Sequence, residues 1–581
     1  MAKPIAVEAT LTVPFSAEQL WPYVADTDRL DRSVGLPPVN FSRGEVARDE
    51  PDVGEYRLWR FPIARWIENP FEWQRPRRFS VVREYQSGPL IRFCGGTELL
   101  PSGAGTTLRV FAEFLPKPWA VPLVRRAIAP LSMKRSVRQF RAIASFLSRE
   151  SSQPFPQLAD ARARADSGRL QDLLGQLNGK GLQPPTIELL RALLGDAADE
   201  DVASMRPLEL ARSHGLDPQE TLRTFLEATV LGLLEMRWEM LCPACRGVKA
   251  DASHLNELKA EAHCSACNLD FRPDVDELIE ARFYPARAVR PVEVDSYCVS
   301  SPVKTPHRLL QGLVDPGQVR QWSITLEAGG YNLRSPQTRA SHRIAVAAEG
   351  AGKLDATFES MLVLPESSEL REGPTEIVVR NETGRRLTVV VDQAHTPATA
   401  ATPARLMTLP AFQSLFSAEA LAPGIELQVS RVGLLFTDLA GSTALYERVG
   451  EARAFRLVTD HFAVLRRAIE EAGGAVIKSI GDAMMAAFTD GRLAFDAALR
   501  IQRYILELDA RGVIDDLSHL VKVGVHAGAC FAVTQNERLD YFGTAVNVAA
   551  RAQHEAKGGE IVATAEAFEE GKALLAESVS A

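Results

Sequence analysis

Two aspartates 44 positions apart, Asp438 and Asp482, each stand where an apolar run stops. Asp438 closes the run Arg-Val-Gly-Leu-Leu-Phe-Thr-Asp, and Asp482 follows Gly481 between the runs Ala475 to Ile480 and Ala483 to Phe488. The pattern predicts a strand ending in a carboxylate and a hairpin with a carboxylate at its tip. Two such groups brought together make a hard-oxygen site suited to Mg²⁺, which also keeps waters and phosphate oxygens as ligands. Metals held there can activate a hydroxyl and neutralise a leaving group, so the chemistry implied is phosphoryl or nucleotidyl transfer. Asn547 and Arg551 stand at i and i+4 of an expected helix and share a face, where they can meet a sugar hydroxyl and a phosphate. Each residue taken singly has an ordinary alternative. Asp438 can be a helix N-cap, Gly481-Asp482 a simple turn, and Arg551 a solvated helix residue.

A second constellation is Cys242-Pro-Ala-Cys245 with Cys264-Ser-Ala-Cys267, the two pairs 18 residues apart. Each pair sets two thiolates on one tight knuckle, and two knuckles complete a tetrahedral site for one structural Zn²⁺. Four thiolates leave no open coordination position, so no catalysis is expected of it. The local charge is mixed (Lys249, Asp251, Glu257, Lys259, Glu261), which argues against nucleic-acid binding. Cys94, Cys298 and Cys530 are isolated and read as small buried residues.

The elements that must position these groups form a multidomain α+β chain. Its 581 residues suffice for about three to five domains. Residues 1–150 open with alternation at Val7, Ala9, Leu11 and Val13, followed by a capping box at Ser16 and Gln19. Strand-like runs follow between Tyr56 and Phe114, and a long amphipathic helix carries Val137, Phe140, Ala144 and Leu147. Residues 151–290 read as a helical domain containing the ribbon, 242–267. Residues 291–400 read as a small antiparallel β-sandwich, with Asn381-Glu-Thr-Gly384 as a hairpin connection. The stretch 395–404, rich in Ala, Thr and Pro, reads as a linker. Residues 401–428 hold linker and a signalling helix around Leu409 to Leu421. From 429 to 581 the order β–α–β–β–α–β with a further α–β is the ferredoxin-like split βαβ arrangement. The net charge of −8 gives no global pull toward nucleic acid or anionic membrane. No apolar run is long enough for a membrane span, and MAKPIAVEAT has no apolar core of a signal peptide, so a cytoplasmic location is expected.

Two resemblances sharpen this reading. VPFSAEQLWPYVADTDRL and WQRPRRFSV resemble the helix-grip (START/SRPBCC-like) superfamily, whose final helix and sheet enclose a cavity; this implies room for a hydrophobic small molecule in residues 1–150. FTDLAGST, VIKSIGDAMMAAF, VGVHAGA and DYFGTAVNVAARAQ, in that order, resemble the class III adenylate/guanylate cyclase catalytic domain. The resemblance implies that Asp438 and Asp482, with the backbone carbonyl of Leu439, bind two Mg²⁺ (or Mn²⁺). It places Lys478 and Asp540 at the purine edge, Asn547 on the ribose and Arg551 on the α-phosphate. An ammonium at Lys478 suits adenine N1 and a carboxylate at Asp540 suits its N6 amino group, so ATP is expected over GTP. The family works as dimers whose sites draw on both subunits, which implies a homodimer through this domain. The expected activity is an adenylate cyclase (a phosphorus–oxygen lyase) regulated by the N-terminal domains. The family's final β-hairpin, with a Lys on the triphosphate, has no match before Ala581, and neither Lys557 nor Lys572 stands at its position. That departure motivates the alternative: a catalytically silent cyclase-like module that senses nucleotide or dimerises within a hydrophobic-ligand receptor.

Overall fold

The computed structural model describes residues 3–575 other than 43–52, 59–60, 104, 152, 157–164, 265–266, 268, 296, 299–300, 339, 360–361, 364–368, 395–398, 423–424, 442–446, 448–449 and 511–519. Its contacts fall into two units: residues 1–162, 263–270 and 293–396, and residues 163–262, 271–292 and 397–581.

In the first unit the alternating opening segment is strand Ile5–Val13, exposed at every second residue and paired antiparallel with Gly105–Pro116. Ser16 Oγ accepts from Gln19 N–H, and Gln19 Oε1 accepts from Ser16 N–H, which starts helix Ala17–Val24. The long helix Ala129–Leu147 lays Phe140 and Ile143 on the sheet among Trp21, Phe79, Leu99 and Leu108. A helix gripped by an antiparallel sheet is the expected architecture. Under strand Phe61–Glu68, a polar cluster is buried as well: Arg83 donates to Glu68 at 3.0 Å, lies 3.4 Å from Asp31 and stacks over Trp66.

Strand Glu72–Gln74 also pairs with Arg308–Val314, so the sheet runs on into the β-rich segment. A second sheet of Val319–Leu326, Gly373–Asn381, Lys353–Phe358 and Leu362–Val363 encloses a core of Trp322, Tyr331, Phe358 and Val389 with it. Two pairings here are parallel, Ala340–Ala347 with Glu369–Arg371 and Lys353–Phe358 with Gly373–Asn381. The sandwich is therefore mixed where antiparallel pairing was expected. The turn Asn381 to Gly384 likewise joins strands of different sheets. Asn381 holds this arch, its amide donating to Val314 O and Arg385 O while its oxygen accepts from Thr383 N–H.

The second unit begins with helices Ser167–Asn178, Pro184–Asp196, Pro207–His214 and Pro218–Val230, followed by strands Leu234–Leu241, Val248–Ala252 and Ile279–Pro285. Its catalytic-domain sheet runs in the order Ala475–Ile480, Ala483–Phe488, Leu427–Leu439, Val521–Gln535, Arg538–Phe542, and Ile561–Ala563 joins parallel to Val521–Gln535. Alternation along the central strand serves two cores. Leu435 and Leu439 face helices Glu451–Glu471 and Gly491–Ala510. Leu434 and Phe436 face the other way, into a core shared with Leu406, Met407, Phe412 and Phe225. The sequence pattern from Ala444 to Ala472 predicts one long helix; it is described over Glu451–Glu471, and its expected start lies partly outside the described residues.

The expected linker is not a solvated tether. Within the part that is described, Ala400, Ala401 and Thr402 are buried, and Ala281 N–H donates to Ala401 O at 2.9 Å. The signalling helix is two short ones, Pro403–Met407 and Pro410–Leu415, because each proline fits the first helical turn and interrupts what precedes it. Asp276 fastens the first of them, accepting from Ala404 N–H at 2.7 Å.

Burial pushes the Asp276 carboxyl up to about 6, against the hydrogen bonds from Thr402 and Ala404. A folded-state value above the ordinary one stabilises fully below about pH 4, and that contribution is lost as pH rises through about 6. Asp276→Asn keeps an acceptor oxygen and cannot ionise. Urea unfolding across this range should show the variant gaining on the parent as pH rises; a constant difference would refute the assignment.

Candidate active site

The carboxylate pair is assembled by strand register. Asp438 stands opposite Lys522 of the neighbouring strand, and Thr437 stands opposite Met484 on the other side. Asp482 sits in the turn between Ile480 and Ala483, made tight by Gly481 at φ +64°. The two aspartates are thus brought within electrostatic reach. Burial raises the Asp438 carboxyl above its ordinary range and the charge of Asp482 raises it further, while Lys522, the Leu439 N–H and Gln553 pull it back. Gln553 Nε2 donates to Asp438 Oδ2 at 3.4 Å. It gets there because its helix, Thr544–Glu555, packs directly on Gly524, where an added Cβ would lie 2.1 Å from Gln553 N.

Asp482 Oδ2 is buried and has no hydrogen-bond donor among the described residues. A buried carboxylate oxygen without a partner is costly unless something else satisfies it. Two convergent carboxylates, one with an unsatisfied oxygen, suit a divalent hard cation. His461, from helix Glu451–Glu471, lies close by, fully buried and with neither ring nitrogen hydrogen-bonded among the described residues. Burial holds its pKa down to about 4 against the pull of Asp482. The ring is neutral at pH 7 and puts no positive charge in competition with a cation.

Lys478 and Asp540 also meet. Lys478 Nζ donates to Asp540 Oδ2 at 2.5 Å, although their strands are the two ends of the five-strand order. The sheet must curl for its ends to touch. Asp540 is 6% exposed and its second oxygen accepts from Tyr541 N–H at 2.8 Å, which fixes the carboxylate. The Tyr541 side chain is buried, with its hydroxyl donating to Ala404 O at 3.0 Å.

Asn547 and Arg551 lie on the exposed side of helix Thr544–Glu555, whose other side buries Ala545, Ala549 and Ala552. Within one chain the residues therefore form separate groups: the aspartates with Lys522, Gln553 and His461, the Lys478–Asp540 pair, and the Asn547–Arg551 face. Among the described residues no hydrogen bond or ion pair joins the aspartates to the Lys478–Asp540 pair. Lys522, Gln553 and His461 were not singled out from sequence. Lys522 could have been found by aligning the two strands in antiparallel register; a histidine on an apolar helix face gives no such signal.

The sulfurs of Cys242, Cys245, Cys264 and Cys267 lie within 4.8 Å of one another, and all four residues are buried. A tetrahedral ZnS4 site with bonds of about 2.3 Å has sulfurs about 3.8 Å apart, so the cluster has the size and donor chemistry for zinc.

A family model described as the adenylate and guanylate cyclase catalytic domain matches residues 426–578. The C-terminal segment is a class III nucleotidyl cyclase catalytic domain. Residues 4–144 match the polyketide cyclase/dehydrase and lipid transport family, and residues 169–299 match a family of unknown function (DUF5939). The cyclase domain is similar to an adenylate cyclase of Anabaena cylindrica, 36% identical over 132 residues, covering 21% of this chain and 26% of that one. It is also similar to an adenylate cyclase of Mycosarcoma maydis, 34% identical over 166 residues, covering 25% and 6%. The chain thus spans about a quarter or less of the length of these relatives. Among solved structures, the adenylyl cyclase CyaB from P. aeruginosa is 21% identical with a TM-score of 0.24, covering 26% of this chain and 83% of that chain. The guanylate cyclase domain of RhGC from Catenaria anguillulae, in complex with GTP, is 17% identical with a TM-score of 0.23, covering 25% and 82%. Among the described residues no helix is long and apolar enough to cross a membrane.

Metal analysis of the purified protein should find zinc that Cys264→Ser removes. The loss of a closed thiolate site should lower the unfolding temperature of the variant, since binding energy at such a site is folding energy. Equal zinc content in parent and variant would exclude the four-cysteine site.

Proposed function

We propose that this chain is an adenylate cyclase, converting ATP to 3′,5′-cyclic AMP and pyrophosphate. The observation that carries the proposal is the aspartate pair, Asp438 with Asp482, one oxygen of which is buried without a partner. Two Mg²⁺ or Mn²⁺ held by Asp438, Asp482 and the Leu439 carbonyl would activate the ribose 3′-hydroxyl and neutralise charge on the departing pyrophosphate. The chain's own residues do the rest. Lys522, opposite Asp438, adds a fixed positive charge beside the carboxylates and is placed to draw in the triphosphate. Lys478 donates to adenine N1 and Asp540 accepts from the N6 amino group, exchanging their bond to each other for bonds to the base. Asn547 orients the ribose. Arg551 stabilises the charge that develops on the α-phosphate.

The separation of these groups within one chain supports a homodimer in which the aspartates of one copy work with the Asn547–Arg551 face of the other. The match of residues 4–144 to a lipid-transport family supports an apolar small molecule as a ligand of the first domain, acting on the cyclase as a regulatory input.

The test is cyclic AMP formation from ATP, with GTP as the comparison and Mg²⁺ or Mn²⁺ supplied. Product should form from ATP in preference to GTP and vanish in Asp438→Ala. Arg551→Ala should lower kcat by roughly 10²–10³-fold, the cost of losing one charge-stabilising donor in a transition state. Lys522→Ala should raise KM for ATP more than it lowers kcat. Failure of the folded, metal-supplied parent to make any cyclic nucleotide would sink the proposal.

A further inference from the structure

The Lys478–Asp540 pair combines a buried carboxylate with a partly exposed ammonium. It forms part of the lining of a cavity of about 1080 Å³ within the second unit. Part of the lining comes from outside the catalytic domain: Gln219 and Arg223 of helix Pro218–Val230 and Gln413 of helix Pro410–Leu415. Gln219, Arg223 and Glu227 are spaced four residues apart, so they form one stripe along their helix, and all three line the cavity. The other side of that helix, with Leu222, Phe225 and Leu226, is anchored in the shared core. The stripe is thus held facing the cavity by packing.

Two contacts tie this wall to the base-reading strands. Gln219 Nε2 donates to Gly473 O at 3.2 Å, just ahead of the Lys478 strand. An added Cβ at Gly473 would come within 2.6 Å of the same nitrogen. Leu421 N–H donates to Thr534 Oγ1 at 2.7 Å, on the hairpin that leads to Asp540. Hydrogen bonds thus join helix Pro218–Val230 and the segment that follows helix Pro410–Leu415 to the stretches leading to Lys478 and Asp540.

The chemistry of the cavity suits a nucleobase. As many acidic as basic side chains line it, so it has no net pull on a triphosphate. Its amide, guanidinium and carboxylate groups offer both donors and acceptors to an uncharged heterocycle. Its volume is at the upper end of that of small-molecule sites, enough for a purine and its ribose.

We infer that the 169–299 segment and the helix Pro410–Leu415 supply the outer wall of the purine site, with Gln219, Arg223 and Gln413 contacting the nucleoside opposite Lys478 and Asp540. This rests on the proposed reading of Lys478 and Asp540. It makes the N-terminal module a determinant of substrate affinity and base preference. Movement of that module changes how tightly ATP is held before any chemistry begins.

The test uses the full chain and 3′-deoxy-ATP, which lacks the attacking hydroxyl and reports binding alone. Titration calorimetry with Mg²⁺ would compare the parent, Arg223→Ala, the double variant Gln219→Ala/Gln413→Ala, and Lys478→Ala. Arg223→Ala should weaken binding roughly two- to tenfold, the equivalent of one lost hydrogen bond, and the double variant should weaken it further. The preference for ATP over GTP should narrow, with kcat at saturating ATP within about twofold of the parent, as for an interaction present equally in ground and transition states. Unchanged affinity in both wall variants, beside weakened binding in Lys478→Ala, would overturn the inference and leave the base-reading pair intact. Unchanged affinity in all three would reject the role of Lys478 as well, and the wall with it.

Discussion

The catalytic end of this molecule depends on holding together two carboxylates that repel each other. Burial and the charge of Asp482 both push the Asp438 carboxyl upward, while Lys522, the Leu439 N–H and Gln553 oppose them. A soft scaffold would relieve the repulsion by moving apart. This one is stiff because the strand that ends at Asp438 is central in its sheet, flanked by Ala483–Phe488 and Val521–Gln535, and because Leu434 and Leu435, on opposite faces, are both completely buried. Close packing on both faces resists the small displacement that would separate the two charges. On the proposed reading the repulsion becomes a binding resource, since a divalent cation held by the two aspartates would relieve it.

The same strand explains why the preceding segments are more than attachments. One face of the sheet is covered by its own two long helices, and the other by Leu406, Met407, Phe412 and the helical segment that carries Phe225. Phe412 is buried between Trp238 and Phe416, so the short helix Pro410–Leu415 is clamped by aromatic contacts. Tyr541 extends the clamp to Asp540, with its hydroxyl on Ala404 and its N–H on the Asp540 carboxylate. A displacement of the helix Pro403–Met407 is therefore felt at the Lys478–Asp540 pair through two hydrogen bonds.

What the sequence made legible was local. Asp438 and Asp482 end apolar runs, the cysteine pairs carry their spacing, and Ser16 with Gln19 is a complete capping motif within four residues. What stayed hidden depends on contacts between distant segments. Lys522 acquires its meaning only from antiparallel register with a strand that ends about 80 positions earlier. The stretch 395–404 has the composition of a solvated tether, yet Ala400 and Ala401 are small enough to be buried once Ala281 offers a backbone donor. The turn at Asn381 has hairpin chemistry, and the arch between two sheets uses the same asparagine amide to bond backbone on both sides. Turn residues report that the chain reverses; which sheet it enters next is decided by packing.

The separation of charge across the catalytic domain gives the arrangement its logic. Near the aspartates the formal charge is net acidic, with Lys522 as the cation opposite Asp438 and a buried His461 close by. The Lys478–Asp540 pair is neutral as a unit, and so is the cavity around it. A nucleoside triphosphate has the same asymmetry, an uncharged polar base at one end and concentrated negative charge at the other. A site built in this way selects orientation before it selects the base. On the proposed reading the charge-balanced cavity suits the base, and the aspartates, once they hold metal, suit the phosphates. On that reading discrimination between bases falls to Lys478 and Asp540, whose mutual bond a bound purine would have to replace on both sides.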